Sequence, residues 1–439
     1  MSMLATAALL LALLPASAPA HQNALPFIED DYPKALAEAR ARNLPLFVEY
    51  WAPWCHTCRS MKAFVFTDQS LRPEAGRFVW LAIDTEKEKN AAVQEKYPID
   101  AWPTFFVVDP KDERVAMRWV GGATVPQLRK LLDEGRAAVN GGASGAGFEA
   151  AFARAERAYG ERKFADAAAA YQEALRVAPP LWPRYSHAVE SLLFALSKGD
   201  DCATSIEVAR GALPRLRETP SALSIAATAL DCAIQAPATD PARSATIALF
   251  EKAGREAIAN PRVVAAADDR SGLYGVLVEV RKDAKDAAGA RRTASEWATF
   301  LEGEAARAKT PDARAVFDSH RLGAYIELGQ PERAIPMLEA SERDLPQDYN
   351  PPARLSVVYK EMKRWDDALA ASDRALKLAY GPRVLGILRT RADIQAAKGD
   401  KEAARATVVR ALQIAETMPA GQRSERAIAA ARKRLESMN

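Results

Sequence analysis

The chain has 439 residues, 60 basic and 57 acidic side chains, a formal net charge of +3 at pH 7 and four cysteines. That even balance, with no basic stripe interleaved with aromatics, argues against a nucleic-acid surface. The length suggests two or three domains.

The first element is apolar. Met3 to Leu14 lacks polar side chains apart from Thr6, and Ala16-Ser17-Ala18 or Ala18-Pro19-Ala20 offers small residues for cleavage. The run is too short to span a bilayer. No Lys or Arg occurs in the first twenty residues, an atypical start that leaves the initiator amine to supply the charge. Residues 1–20 are therefore expected to be a secretory signal peptide, placing the mature chain in the periplasm or outside the cell.

Residues 21–139 alternate. A helix at about Tyr32–Ala41 precedes a strand at Pro45–Tyr50 and a helix opening at Cys55. A strand at Phe78–Ile83, a helix at Asn90–Lys96, and strands at Thr104–Val108 and Val115–Val120 follow. A last helix runs from Thr124, a candidate N-cap, to about Ala138. Residues 140–147, all small or polar from Asn140 to Gly147, read as a flexible linker. Residues 148–439 are helical throughout, Ala-rich, and broken by Gly, Pro and Asp turns.

Within the first region, Trp51-Ala52-Pro53-Trp54-Cys55-His56-Thr57-Cys58 is the most informative stretch. A buried strand that turns into a helix at the first cysteine of a C-x-x-C pair is the layout of a thiol–disulfide redox centre. The unsatisfied N–H groups at the helix start stabilise a thiolate there. A zinc half-site is the competing reading, but four-ligand zinc needs a second close pair. Cys202 and Cys232 lie far downstream, and His21, His187 and His320 do not cluster with the motif in sequence. No metal and no cofactor beyond the Cys55–Cys58 pair are expected.

These residues carry a resemblance. From about Leu44 to Arg136 the chain looks like an α/β thioredoxin fold, most similar to the C-terminal periplasmic domain of DsbD-type electron transporters and their stand-alone relatives. The matching stretches are Pro45 to Cys55, Phe66-Thr67-Asp68 and Ala101 to Val108. The resemblance implies a cis peptide bond before Pro103, next to the disulfide, and a buried acid at Glu49 beneath it. It also implies that backbone ahead of Pro103 pairs with an extended client. Two positions depart from the family. Trp80 stands where cytoplasmic thioredoxins carry a lysine, and His56-Thr57 replaces Gly-Pro between the cysteines.

The chemistry expected of the pair is attack on a partner disulfide by Cys55, the more exposed of the two, then resolution by a covered Cys58. Glu49 would accept the Cys58 proton, its pKa raised by an apolar strand, or would be a strand-end charge reaching solvent. His56 would favour the Cys55 thiolate if cationic and do little if neutral and exposed. Trp54 and Trp102 would add apolar contact with a client, and for Trp102 plain packing is the alternative.

In the second region a period emerges. Ala167, Tyr171, Ala174 and Pro179 recur in spacing as Ala334, Leu338, Ser341 and Pro346. Ala368, Ser372 and Ala375 follow at a step of thirty-four, which also separates Tyr325 from Tyr359, and Ala404, Val408 and Ala411 continue the series. This resembles tetratricopeptide (TPR) repeats, well matched at 150–180 and 320–415 and degenerate at 185–310. Such an all-α solenoid leaves a groove for a peptide or protein partner, unless it is a spacer or dimerisation face. Cys202 and Cys232 would form a structural bridge between adjacent helices or remain two buried thiols.

Two functions compete on this reading. One is an extracytoplasmic thiol–disulfide oxidoreductase acting on protein clients, recharged by a separate redox donor in the membrane, with repeats that recruit a partner. The other is a TPR scaffold whose thioredoxin-like domain serves for docking.

Overall fold

The computed structural model describes residues 24–141 and 147–438; the expected signal peptide, His21 and the middle of the expected linker lie outside them. The first region is a mixed five-stranded sheet in the order β1-β3-β2-β4-β5. Its strands are β1 (Phe27–Glu29), β2 (Leu46–Trp51), β3 (Val79–Asp84), β4 (Thr104–Val108) and β5 (Val115–Val120). β3 runs parallel to both β1 and β2, whereas β4 is antiparallel to β2 and β5. The short edge strand β1 was not foreseen, since three residues give no periodicity to detect.

Alternation along β2 sorts its side chains onto two cores. Val48 and Tyr50 pack with Tyr32 and Leu36 of α1 (Tyr32–Arg42) and with Tyr97, just past α3 (Ala91–Lys96). Phe47 packs on the opposite face with Trp80, Phe105, Met61 and Leu128. Leu128 belongs to α4 (Val125–Gly141). Thr124 caps this helix reciprocally with Gln127. The Thr124 backbone N–H donates to Gln127 Oε1 (2.9 Å), and the Gln127 N–H reaches back to Thr124 Oγ1 (3.4 Å). α4 takes in Asn140 and Gly141, so helix extends into the stretch read as linker.

The second region is built of helical hairpins. α5 (Phe148–Gly160) pairs with α6 (Phe164–Val177), α7 (Tyr185–Lys198) with α8 (Cys202–Leu216), and α9 (Ser221–Gln235) with α10 (Arg243–Ala259). α11 (Ala267–Asp283) pairs with α12 (Ala287–Arg307), and the single turn α13 (Pro311–Ala315) follows. Three further pairs are α14 (Asp318–Glu327) with α15 (Ala334–Asp344), α16 (Asn350–Glu361) with α17 (Trp365–Leu378), and α18 (Arg383–Lys398) with α19 (Lys401–Thr417). α20 (Glu425–Glu436) ends the stack.

The periodic positions explain the packing. Ala167, Ala174, Ala334, Leu338, Ala368, Ser372, Ala375 and Ala404 are all fully buried where paired helices touch. No hairpin can cover its own apolar face, so each needs a neighbour. A Cys202–Cys232 disulfide ties the first residue of α8 to the last turn of α9.

The first region lies against the second. The Arg118 guanidinium sits 4.8 Å from the centre of the Tyr159 ring of α5, and Trp119 packs on His187 of α7. Further contacts come from α11, α14, α16 and α18 or the turns ahead of them. These are the first helices of their hairpins, and together they bear on the chain's own sheet domain.

Candidate redox site

β2 carries the chain into the site. Beyond it, Cys55 is the N-cap of α2 (His56–Ser60), and its Sγ accepts a hydrogen bond from the Cys58 N–H at 3.0 Å. The two sulfurs are bonded to each other. A cap position is where a helix start has N–H groups to spare, so a thiolate released at Cys55 would find donors in place. The Trp102–Pro103 peptide bond is cis.

Cys55 is 4% exposed and Cys58 0%. Cys55 is the more exposed of the two, as expected, but both are buried. Two layers cover them. The indoles of Trp54 and Trp102 meet edge to face at 5.2 Å and pack against the disulfide. Beyond them stand side chains of the repeats.

Each tryptophan is tethered. Trp54 Nε1 donates to Glu86 Oε1 at 2.7 Å, and Trp102 Nε1 donates to Thr85 Oγ1 at 2.8 Å. Glu86 also accepts the backbone N–H of Arg383, the first residue of α18. Burial pushes its pKa up to about 7 against these two donors. Nearby, Tyr380 donates to Asp84 Oδ2 (2.6 Å), and Gln422 Nε2 donates to the Thr85 carbonyl (2.8 Å).

Glu49 points to the face on which α2 packs. It is fully buried, neither carboxyl oxygen has a hydrogen-bond partner, and burial pushes its pKa up to about 7. The alternative of a charge reaching solvent is thus not what the fold provides. Its counter-ion was missed in the sequence. Lys62 Nζ lies 3.5 Å from Glu49 Oε2 and 4.1 Å from the centre of the Trp51 ring. The missing signal was helical spacing, because Lys62 stands four residues after Cys58 and shares its face. A cation from the π-helical turn Met61–Val65, which continues α2, stands near the acid, while the family's lysine position is filled by the core indole of Trp80.

His56 and Thr57 face the repeats. Asp268, near the start of α11, places Oδ1 2.6 Å from His56 Nδ1 and accepts from Thr57 Oγ1 through Oδ2 at 2.6 Å. Burial pushes the Asp268 pKa up, but His56, His320 and Thr57 outweigh it and hold the carboxyl below its ordinary range. His320 of α14 packs on His56 with ring centres 4.0 Å apart and the rings tilted by 53°. Burial, aided by His56, brings its pKa down to about 4. The sequence placed His320 away from the motif; the fold sets it against the motif. Asn350 Nδ2 donates to the Pro53 carbonyl at 3.0 Å, and Arg59 pairs with Asp348. Nothing in the local sequence singles out Asp268 or Asn350, whose roles arise only from the docking of the two regions.

Residues 28–110 match the thioredoxin-like family. Chloroplastic thioredoxin M4 of Arabidopsis thaliana is 37% identical over 91 residues, covering 21% of this chain and 44% of the relative. The thiol:disulfide interchange protein DsbD of Pseudoalteromonas atlantica is 28% identical over 95 residues, covering 21% of this chain and 16% of the relative. The chain thus spans less than half the length of either. A solved tetratricopeptide repeat protein from Parabacteroides merdae aligns over 67% of this chain and 99% of its own, with 15% identity and a TM-score of 0.39. The chain therefore joins a thioredoxin-like domain with a paired C-x-x-C, similar to thioredoxins and DsbD, to a long region of helical hairpins.

Proposed function

We propose that the protein is an extracytoplasmic thiol–disulfide oxidoreductase that reduces or exchanges disulfides of protein clients. The observation that carries this is Cys55 at a helix N-cap, its Sγ receiving the Cys58 N–H, with buried Glu49 on the face where that helix packs. In the reduced pair, the Cys55 thiolate attacks one sulfur of a client disulfide and expels the other as a thiolate. Cys58 then loses its proton to Glu49 and attacks Cys55 Sγ, releasing the client as a dithiol. The client gains two electrons and the pair becomes the disulfide. A separate dithiol donor, membrane-bound in this reading, must reduce it again. The apolar Met3–Leu14 run supports export.

The repeats act in this scheme as a selective cover. A client reaches Cys55 only by displacing or threading past the contacts from Asp268, Asn350 and Arg383. Trapping tests the reading: Cys58→Ser should accumulate mixed disulfides with envelope proteins, and Cys55→Ser should not. One observation favours the scaffold alternative, the burial of Cys55 beneath the repeats. That alternative gains if neither variant traps a client and the full chain fails to reduce any protein disulfide.

A further inference from the structure

Two of the chain's four histidines converge on one buried carboxylate beside the redox pair. His56 comes from the active-site helix, Asp268 from α11 and His320 from α14. One ligand atom from each can be chosen so that all three lie within 4.8 Å of one another. We propose that His56, Asp268 and His320 form a site for a divalent transition-metal ion of the zinc class, built across the two regions of the chain.

The donor set fits that class. Two imidazole nitrogens and one carboxylate oxygen suit zinc-like ions, with a fourth position left to water. Bonds of about 2.0–2.2 Å put tetrahedral ligand atoms roughly 3.3–3.6 Å apart, so an ion would part the 2.6 Å His56–Asp268 contact slightly and draw in His320, which lies 4.0 Å from the same Asp268 oxygen. The surroundings already hold them. Thr57 occupies the second oxygen of Asp268 at 2.6 Å. Ser271 Oγ sits 2.6 Å from His320 Nδ1 and itself accepts from Trp297 Nε1 at 2.6 Å. Outer partners of this kind fix ligand orientation in metal sites.

Charge points the same way. Asp268 is 4% exposed at its side chain and has no Lys or Arg ion pair among the described residues, only the two histidines. One buried negative charge between two imidazoles needs a cation. A divalent metal ion would meet that need through all three groups at once. The bound ion would fasten α11 and α14 to the first residue of the redox helix and hold the cover closed.

The test uses the full mature chain, oxidised so that both cysteine pairs are bridged and no thiol can bind metal. Titration with Zn²⁺ followed by calorimetry should saturate at about one equivalent. His320→Ala and Asp268→Asn should each weaken binding about tenfold or more. His56→Gln, at a half-exposed position in the other region, should do the same without threatening the repeat fold. Absence of saturable binding, or one equivalent retained by all three variants, overturns the proposal. Because turnover is not measured, the result stands apart from the redox reading.

Discussion

The two disulfides, one in each region, are the same bond in opposite settings. Cys55–Cys58 closes a single helical turn and sits among groups that can do chemistry: a buried acid with a raised pKa, a lysine 3.5 Å from it, two tethered indoles and a histidine held by a carboxylate. Cys202–Cys232 spans thirty residues and joins neighbouring helices of an Ala-rich stack. Cys232 is buried among α9 residues Ala229, Leu230 and Ala233. The lesson is that redox function lies in what surrounds a cysteine pair. A short loop adds about half the chain-entropy stabilisation of the long one, so the first bond is made and broken at smaller cost, whereas the second contributes more to the fold.

The largest effect that would break this comparison is on turnover. Cys55→Ser should reduce disulfide-reducing activity to background, and the Cys202→Ser/Cys232→Ser pair should leave it near the parental value. Loss of activity in the double variant, measured at a temperature where it stays folded, would mean that the second bridge takes part in the chemistry.

Next comes Glu49. Replacing it with Gln removes the proposed proton acceptor, and resolution of a preformed mixed disulfide near neutral pH should slow by about 10²-fold in stopped-flow. Stability should respond in the opposite sense. Below the ordinary value of 4.5 the acid is protonated whether folded or not, so Glu49 adds no pH dependence. Between 4.5 and about 7 the folded protein keeps a proton that the unfolded chain has lost. The parent must therefore lose stability as pH rises through that window, by up to roughly 3 kcal/mol at and above pH 7. Urea unfolding of parent and Glu49→Gln across the window should show the variant gaining on the parent. Parallel curves would place the Glu49 carboxyl in contact with water.

How much of this the sequence disclosed follows the range of the interactions. The chain order of strands and helices rests on local signals, such as the apolar runs at β2 and β4 and the Thr124 cap, and could be read from the chain. Cys55, Cys58 and Pro103 stood out because their spacing and resemblance are local too. Lys62 was readable in principle, one helical turn past Cys58. Asp268, His320 and Asn350 were not, since their meaning lies in contacts across more than two hundred residues. Nothing in an amphipathic helix says which neighbour its polar end will meet. For the same reason the docking of the first helices on the thioredoxin-like domain could not be read from the chain.

The second bridge should show in stability alone. Opening it with Cys202→Ser/Cys232→Ser should cost the repeat region roughly 3–4 kcal/mol on the chain-entropy account. Reducing the Cys55–Cys58 pair should cost about half as much, roughly 2 kcal/mol on the same account, and shift denaturant midpoints correspondingly less. Equal shifts from the two bonds would erase the distinction between a working and a structural disulfide.

The smallest effect concerns the seam between the regions. Gly381 has φ +57°, and a Cβ built on it would stand 1.9 Å from the Glu86 carbonyl oxygen. Both the backbone conformation and the close approach require glycine. Glu86 in turn holds Trp54 over the redox pair and receives the Arg383 N–H. Gly381→Ala must push the turn before α18 off the thioredoxin-like domain, while the hairpins that form the repeat core lie elsewhere. If the seam loses about 1.4 kcal/mol, the open fraction rises about tenfold. In the reduced protein, alkylation of Cys55 by iodoacetamide should quicken by about that factor, with little change in thermal unfolding of the repeats. The covering layers differ in kind, and the rate separates them: the indoles belong to the same domain as the cysteines and move with them, whereas the repeat contacts can part. An unchanged alkylation rate would mean that Trp54 and Trp102 alone control access, and the repeats would lose their place as the cover.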